Sequence, residues 1–71
     1  MKNLNPEVYK GYSIRFIEKI VGPKKYVEGG YQSKVTSKIV KVRELSKQMT
    51  YNKIKLMIDF EDSKKRLQRL K

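Results

Sequence analysis

The chain has no cysteine, no histidine and no tryptophan among its 71 residues, and only two prolines and four glycines. Without cysteine there is no disulfide and no thiolate nucleophile; without histidine there is no imidazole base, and the usual zinc sites go with both. A small cysteine-free domain fits a reducing compartment, so a cytoplasmic or nucleoid-associated location is expected. Long apolar runs are missing too. The longest is Leu56-Met57-Ile58, against the roughly 20 residues a membrane span needs. Charges run through residues 1–20, so no signal peptide is expected. No stretch pairs a strong apolar face with Trp or Phe anchors, which argues against a membrane-surface role.

Acid is scarce. Seven Asp+Glu face 18 Lys+Arg, a formal net charge of +11. Such an excess opposes compaction and favours polyanionic partners. Arginine is limited to Arg15, Arg43, Arg66 and Arg69. Lysine is a point charge suited to phosphate, whereas the arginine fork suits base edges, so backbone-led binding is expected. Coding bias in an AT-rich genome is the competing source of the same balance.

What is present is periodic, which argues against disorder. Residues 1–11 read as a leader with at most one helical turn, started by Asn5-Pro6-Glu7 and stopped by Gly11. Residues 12–21 read as a strand with Tyr12, Ile14, Phe16 and Ile20 on one face. Gly22-Pro23 turns the chain, 24–28 returns as a hairpin partner, and Gly29-Gly30 is a second break. Over 34–49, Val35, Ile39, Val42, Leu45 and Met49 fall four, three, three and four apart, the stripe of a helix. Over 52–60, Asn52, Ile54, Leu56, Ile58 and Phe60 alternate with Lys53, Lys55, Met57 and Asp59, the pattern of a half-buried strand. Asp62 or Ser63 then caps a short basic C-terminal helix over 63–71. The expected fold is an α+β two-layer domain spanning 12–71. In it a three-stranded, mostly antiparallel sheet (12–21, 24–28, 52–60) packs on helix 34–49 and leaves its other face wet.

On that wet face the alternation places Arg15, Lys19, Lys53 and Lys55 with Ile17 and Met57. Lys24 and Lys25 sit at the hairpin turn, and Tyr26 and Tyr51 flank the strands. Cations neutralise phosphates and rings stack on bases, so this face is the candidate nucleic-acid site. The bland alternative is a solvated sheet with tyrosines at the core rim. The column Lys34, Lys38 and Lys41, four and three apart, could grip a phosphate backbone but reads better as a solvated helix flank. The tail Lys64-Lys65-Arg66 with Arg69 is a second basic element.

The expected function is non-catalytic binding of DNA or RNA, with no cofactor and no metal. The alternative is a small adaptor or inhibitor, of the kind viruses encode, whose basic face meets an acidic protein. Its strand edges would be open to β-addition or homodimer formation. Asp62-Ser63-Lys64 matches the D/E-x-K fragment of metal-dependent nucleases, but Asp59, Glu61 and Asp62 read better as acids favouring the N-terminus of a following helix. Gly29-Gly30 lacks the downstream glycine and lysine of a phosphate-cradling loop.

The stretch from Gly22 to Ser37 resembles the end of the arm-type DNA-binding domain of tyrosine recombinases. There a basic hairpin leads through Gly and an aromatic to a Ser/Thr-Lys that opens a helix, as in Gly30-Tyr31-Gln32-Ser33-Lys34. The resemblance implies DNA reading by a three-stranded sheet. A strand at 52–60 has no place in that pattern, and the chain is not assigned to the family.

Overall fold

A computed structural model describes the backbone of residues 2–69 and the side chains of residues 2–64. Four strands, β1 (Lys2–Tyr9), β2 (Tyr12–Val21), β3 (Lys24–Gln32) and β4 (Ile39–Glu44), precede one helix, α1 (Lys47–Arg69). The strands form an antiparallel meander in the order β1-β2-β3-β4. Turn chemistry explains the first two connections. Tyr9 pairs with Tyr12 across Lys10-Gly11, both at positive φ (50° and 81°), the geometry of a type I′ turn. Val21 pairs with Lys24 across Gly22-Pro23, and Gly22 at φ 60° supplies the positive φ a type II′ turn needs before a φ-locked proline.

Residues 33–38 make a longer connection, organised by Ser33. Its hydroxyl accepts from the Val35 and Thr36 amides at 3.2 and 3.1 Å, and Ser37 at φ 62° redirects the chain into β4. Ser46 then caps α1: its hydroxyl accepts from the Met49 amide at 3.2 Å, and its carbonyl from the Thr50 amide at 3.0 Å.

α1 lies on one face of the sheet, over β3 and β4. Tyr12, Ile14 and Phe16 of β2, Val27 and Tyr31 of β3, and Ile54 and Ile58 of α1 form the buried core. Gly29 makes the seat for the helix. A Cβ at that position would stand 2.6 Å from Ile54 Cδ1 and 2.7 Å from Thr50 Cγ2. Beside it the Thr50 hydroxyl donates to the Val27 carbonyl at 2.9 Å, tying α1 to β3.

The sheet therefore has four strands, not three, and the helix is C-terminal. The expected strand at 52–60 is the middle of α1. Its alternation conceals a period of four: Ile54 and Ile58 are fully buried, whereas Leu56 and Phe60 are 70% and 65% exposed. Lys, Leu and Met are also good helix formers. The expected helix 34–49 is the connecting loop, β4 and the start of α1. Within it Val40, Val42 and Glu44 turn towards α1 while Ile39, Lys41 and Arg43 turn away, and its β-branched residues suit the free edge of β3. The short helix at 63–71 is no separate element, since α1 runs unbroken from the Ser46 cap through Arg69. The leader is β1; Pro6, lacking an N–H, sits on this edge strand where the register slips between Leu4 and Glu7. Lys34 opens no helix, contrary to what the recombinase resemblance implies. Strand 12–21 is β2 as expected, and 24–28 is extended by β3 to Gln32.

Candidate nucleic-acid interface

Because strand side chains alternate, the residues between the core positions of β2, β3 and β4 all emerge on the face opposite α1. Three central cross-strand rows follow from the register, between Val21–Lys24 at one end and Gln32–Ile39 at the other. Lys19 pairs with Tyr26. Ile17, Glu28 and Arg43 form the second row, and Arg15, Gly30 and Lys41 the third. Gly30 carries no side chain, so the third row is two cations separated by bare backbone, roughly two strand spacings or about 9.5 Å apart. The result is a concavity of about 440 Å³ with Arg15 and Lys41 among its walls and Gly30 in its floor.

The electrostatics of this face depend on where the acids go. Glu28 takes Lys19 at 3.2 Å and Arg43 at 3.4 Å. The Lys19 hydrogen bond is the main reason its carboxyl is held below the usual range; burial opposes this, and Arg43 assists. Elsewhere Glu7 pairs with Lys47, Glu18 with Lys25, Glu44 with Lys53, and both Asp59 and Asp62 with Lys10. Glu61 is buried against the 33–38 loop, where it accepts from the Ser33 hydroxyl and, at 2.9 Å, from the Val35 amide. Burial pushes the Glu61 carboxyl up, and these bonds with those from Tyr12 and Lys34 outweigh it, leaving a lowered pKa. Every carboxylate is thus engaged, and none forms an ion pair with Arg15 or Lys41 among the described residues.

The sequence-predicted site residues separate into three places. Arg15, Lys19 and Tyr26 do share the open face, with Arg43 over the Tyr26 ring at 5.8 Å. Lys24 and Lys25 stand at the β2–β3 turn, and Lys25 is held by Glu18 at 3.4 Å. Tyr51, Lys53 and Lys55 do not join them; they belong to α1, on the other side of the sheet from Arg15. Tyr51 packs edge-on against Phe16 and Tyr9, with ring centroids 5.9 and 6.5 Å away, Lys55 covers its ring, and Lys53 is bound to Glu44 at 3.0 Å. Lys64 lies over Phe60 on α1. The side chains of Lys65, Arg66 and Arg69 lie outside the described residues.

Arg43, Glu28 and Gly30 were missed and Lys41 was assigned to a helix, although alternation within Ile39-Val40-Lys41-Val42-Arg43 was the signal that places Lys41 and Arg43 on this face. The column of Lys34, Lys38 and Lys41 does not exist as such: Lys34 lies over the Tyr12 ring at 4.5 Å, and only Lys41 is in β4. Asp59, Glu61 and Asp62 fall in the later part of α1 and not at a helix start, because that helix begins at Lys47. Among the described residues no cluster of His, Cys, Asp or Glu is arranged to hold a metal ion, and no helix is long and apolar enough to cross a membrane.

Compared with known proteins, the chain matches no family model, no curated protein and no solved structure.

Proposed function

We propose that the chain is a non-catalytic nucleic-acid-binding protein that grips the phosphate backbone with the open face of its sheet. The observation that carries this reading is the Arg15–Gly30–Lys41 row, in which two cations that form no ion pair among the described residues flank a strip of bare backbone, Glu28 acting on Lys41 only through space. Lys19 and Arg43 stand in the neighbouring rows, held by Glu28, and add to the grip only by exchanging that internal counter-ion for phosphate. Tyr26 is the one aromatic among the described residues of this face, since Tyr12, Phe16 and Tyr31 are turned into the core. A single ring gives little stacking platform, which favours backbone contact over base stacking and a duplex over a single strand.

The test is fluorescence anisotropy with a mixed-sequence duplex across a salt series. With three to four cations engaged, log affinity falls with log salt at a slope of about −3. Replacing Arg15 and Lys41 together by Ala makes the slope shallower by roughly 2, while Lys53→Ala on the opposite layer leaves it unchanged. A slope near zero, or equal losses from both faces, would remove the basis of the proposal.

A further inference from the structure

The two outer edges of the sheet are built differently. β1 carries Pro6 and a slipped register between Leu4 and Glu7, devices that discourage pairing with another strand. β4 has neither: its pairing with β3 is unbroken from Val27↔Glu44 to Gln32↔Ile39, and among the described residues no backbone hydrogen bond reaches its other side. Alternate residues of such an edge turn their N–H and C=O groups outward. At the Ile39 end of this edge, where Val40 meets the 33–36 loop and the later part of α1, lies an apolar groove lined by Val35, Val40, Leu56, Met57 and Phe60, with the buried Glu61 also in its wall. Lys64 stands at its rim with its Nζ 4.8 Å from the Phe60 ring centroid. On the other side of the same strand Lys41 and Arg43 project from the open face.

We infer that the β4 edge and its groove receive, by strand addition, an extended segment of another protein whose residues alternate between apolar and acidic. Backbone groups would supply the ladder, and alternation would divide the side chains. Those of one parity enter the groove against Leu56, Met57 and Phe60, and those of the other lie beside Lys41 and Arg43. Charge selects the occupant. A second copy paired antiparallel about Lys41 sets Lys41 against Lys41, and one paired about Val42 sets Lys41 against Arg43, between chains that each carry a net charge of +11. An acidic strand gains at the positions where a copy loses. The charge on this edge is therefore a selective guard, closed to the chain itself and open to a carboxylate-bearing partner. This inference does not rest on nucleic-acid binding, although both sites use Lys41.

The experiment titrates fluorescein-labelled peptides into the intact protein, one alternating Val with Glu and one alternating Val with Lys, and follows hydrogen exchange of the backbone in parallel. The Val/Glu peptide is expected to bind and to protect amides within Ile39–Glu44. Phe60→Ser, at a position already 65% exposed, is expected to weaken binding tenfold or more with the circular dichroism of the fold retained. Arg15→Ala, which lies in the nucleic-acid site, leaves peptide binding unchanged, so the two readings fail separately. Equal binding of the Val/Lys peptide overturns the inference, as does binding without protection of β4. Protection of β4 that grows with protein concentration in the absence of peptide also overturns it, because a second copy is then the occupant.

Discussion

Two glycines stand side by side in β3, and the structure assigns them opposite tolerances. A Cβ on Gly29 points into the helix seat, 2.6 Å from Ile54 Cδ1, 2.7 Å from Thr50 Cγ2 and 3.3 Å from Phe16 Cε1. Neither Ile54 nor Thr50 has any exposed surface to retreat into. Overpacking of this kind costs about 1–3 kcal/mol. A Cβ on Gly30 points to the open face and meets only the Val40 carbonyl at 3.7 Å and Lys41 Cγ at 3.8 Å, ordinary contacts. Both Gly→Ala changes remove the same unfolded-chain freedom, about 0.4–1 kcal/mol in favour of the fold. That entropy cancels in the comparison, and the difference between the variants isolates the packing cost. Gly30→Ala is expected to match or slightly exceed the parent, and Gly29→Ala to fall about 1–3 kcal/mol below Gly30→Ala. At 4–8 °C per kcal/mol for a domain of this size, the midpoints separate by roughly 8–16 °C near the middle of that range. Urea and thermal unfolding followed by circular dichroism measure it. Equal midpoints, or Gly30→Ala as the weaker variant, would refute the placement of α1 on this face.

Other expectations follow from the caps, the loop and the acids. Ser46→Ala removes the hydroxyl that accepts from the Met49 amide, and a loss of about 1 kcal/mol in urea unfolding is expected. Ser33→Ala takes a donor from the buried Glu61 and an acceptor from the Val35 and Thr36 amides. It should cost about 1–3 kcal/mol and speed hydrogen exchange within 33–38 more than in β2. Glu28, Asp59 and Glu61 all have lowered pKa values in the folded chain, so their contribution is present above the unfolded carboxylate range and is lost as pH falls through the folded values. The pKa of Tyr12 is pushed up to about 12 by burial and by Glu61, so its contribution is full below the ordinary value of 10.0 and is lost as pH rises from there. Stability measured against pH should be a plateau with an acid limb beginning below about pH 4.5; a maximum in the acid range would contradict these assignments. Glu28→Gln frees Lys19 and Arg43, and is expected to tighten duplex binding and steepen its salt slope in the anisotropy assay.

The parts of the fold that were legible in the sequence are those in which local chemistry and tertiary position agree. Tyr12 to Phe16 alternates cleanly between core and open face, and Gly22-Pro23 has few conformations other than a tight turn. Arg15, Lys19 and Tyr26 were accordingly placed together. The errors lie where one pattern serves two periods. Ile54, Leu56, Ile58 and Phe60 satisfy alternation, yet only Ile54 and Ile58, one helical turn apart, are buried. Val35, Ile39, Leu45 and Met49, four of the five residues in the expected helical stripe, are 46%, 61%, 63% and 47% exposed. What separates the two readings is not in either segment. It is the notch at Gly29, which accepts a helix, and the vacant edge of β3, which accepts a strand. Since 39–44 was read as helix, Lys41 and Arg43 could not be recognised as neighbours of Arg15.

A meander in which each strand pairs only with its predecessor and successor leaves the chain a short search. The β1–β2 and β2–β3 connections close over two residues each, so most of the ladder can zip from local contacts with little loop entropy. Bringing α1 back across β3 is the one closure over a long separation, and it completes the core around Ile54 and Ile58. Kinetically the protein should therefore behave as a preformed sheet awaiting a lid. In a chevron analysis, shortening Ile54 to Val should raise the unfolding rate and leave the refolding rate nearly alone, the signature of a contact made after the barrier.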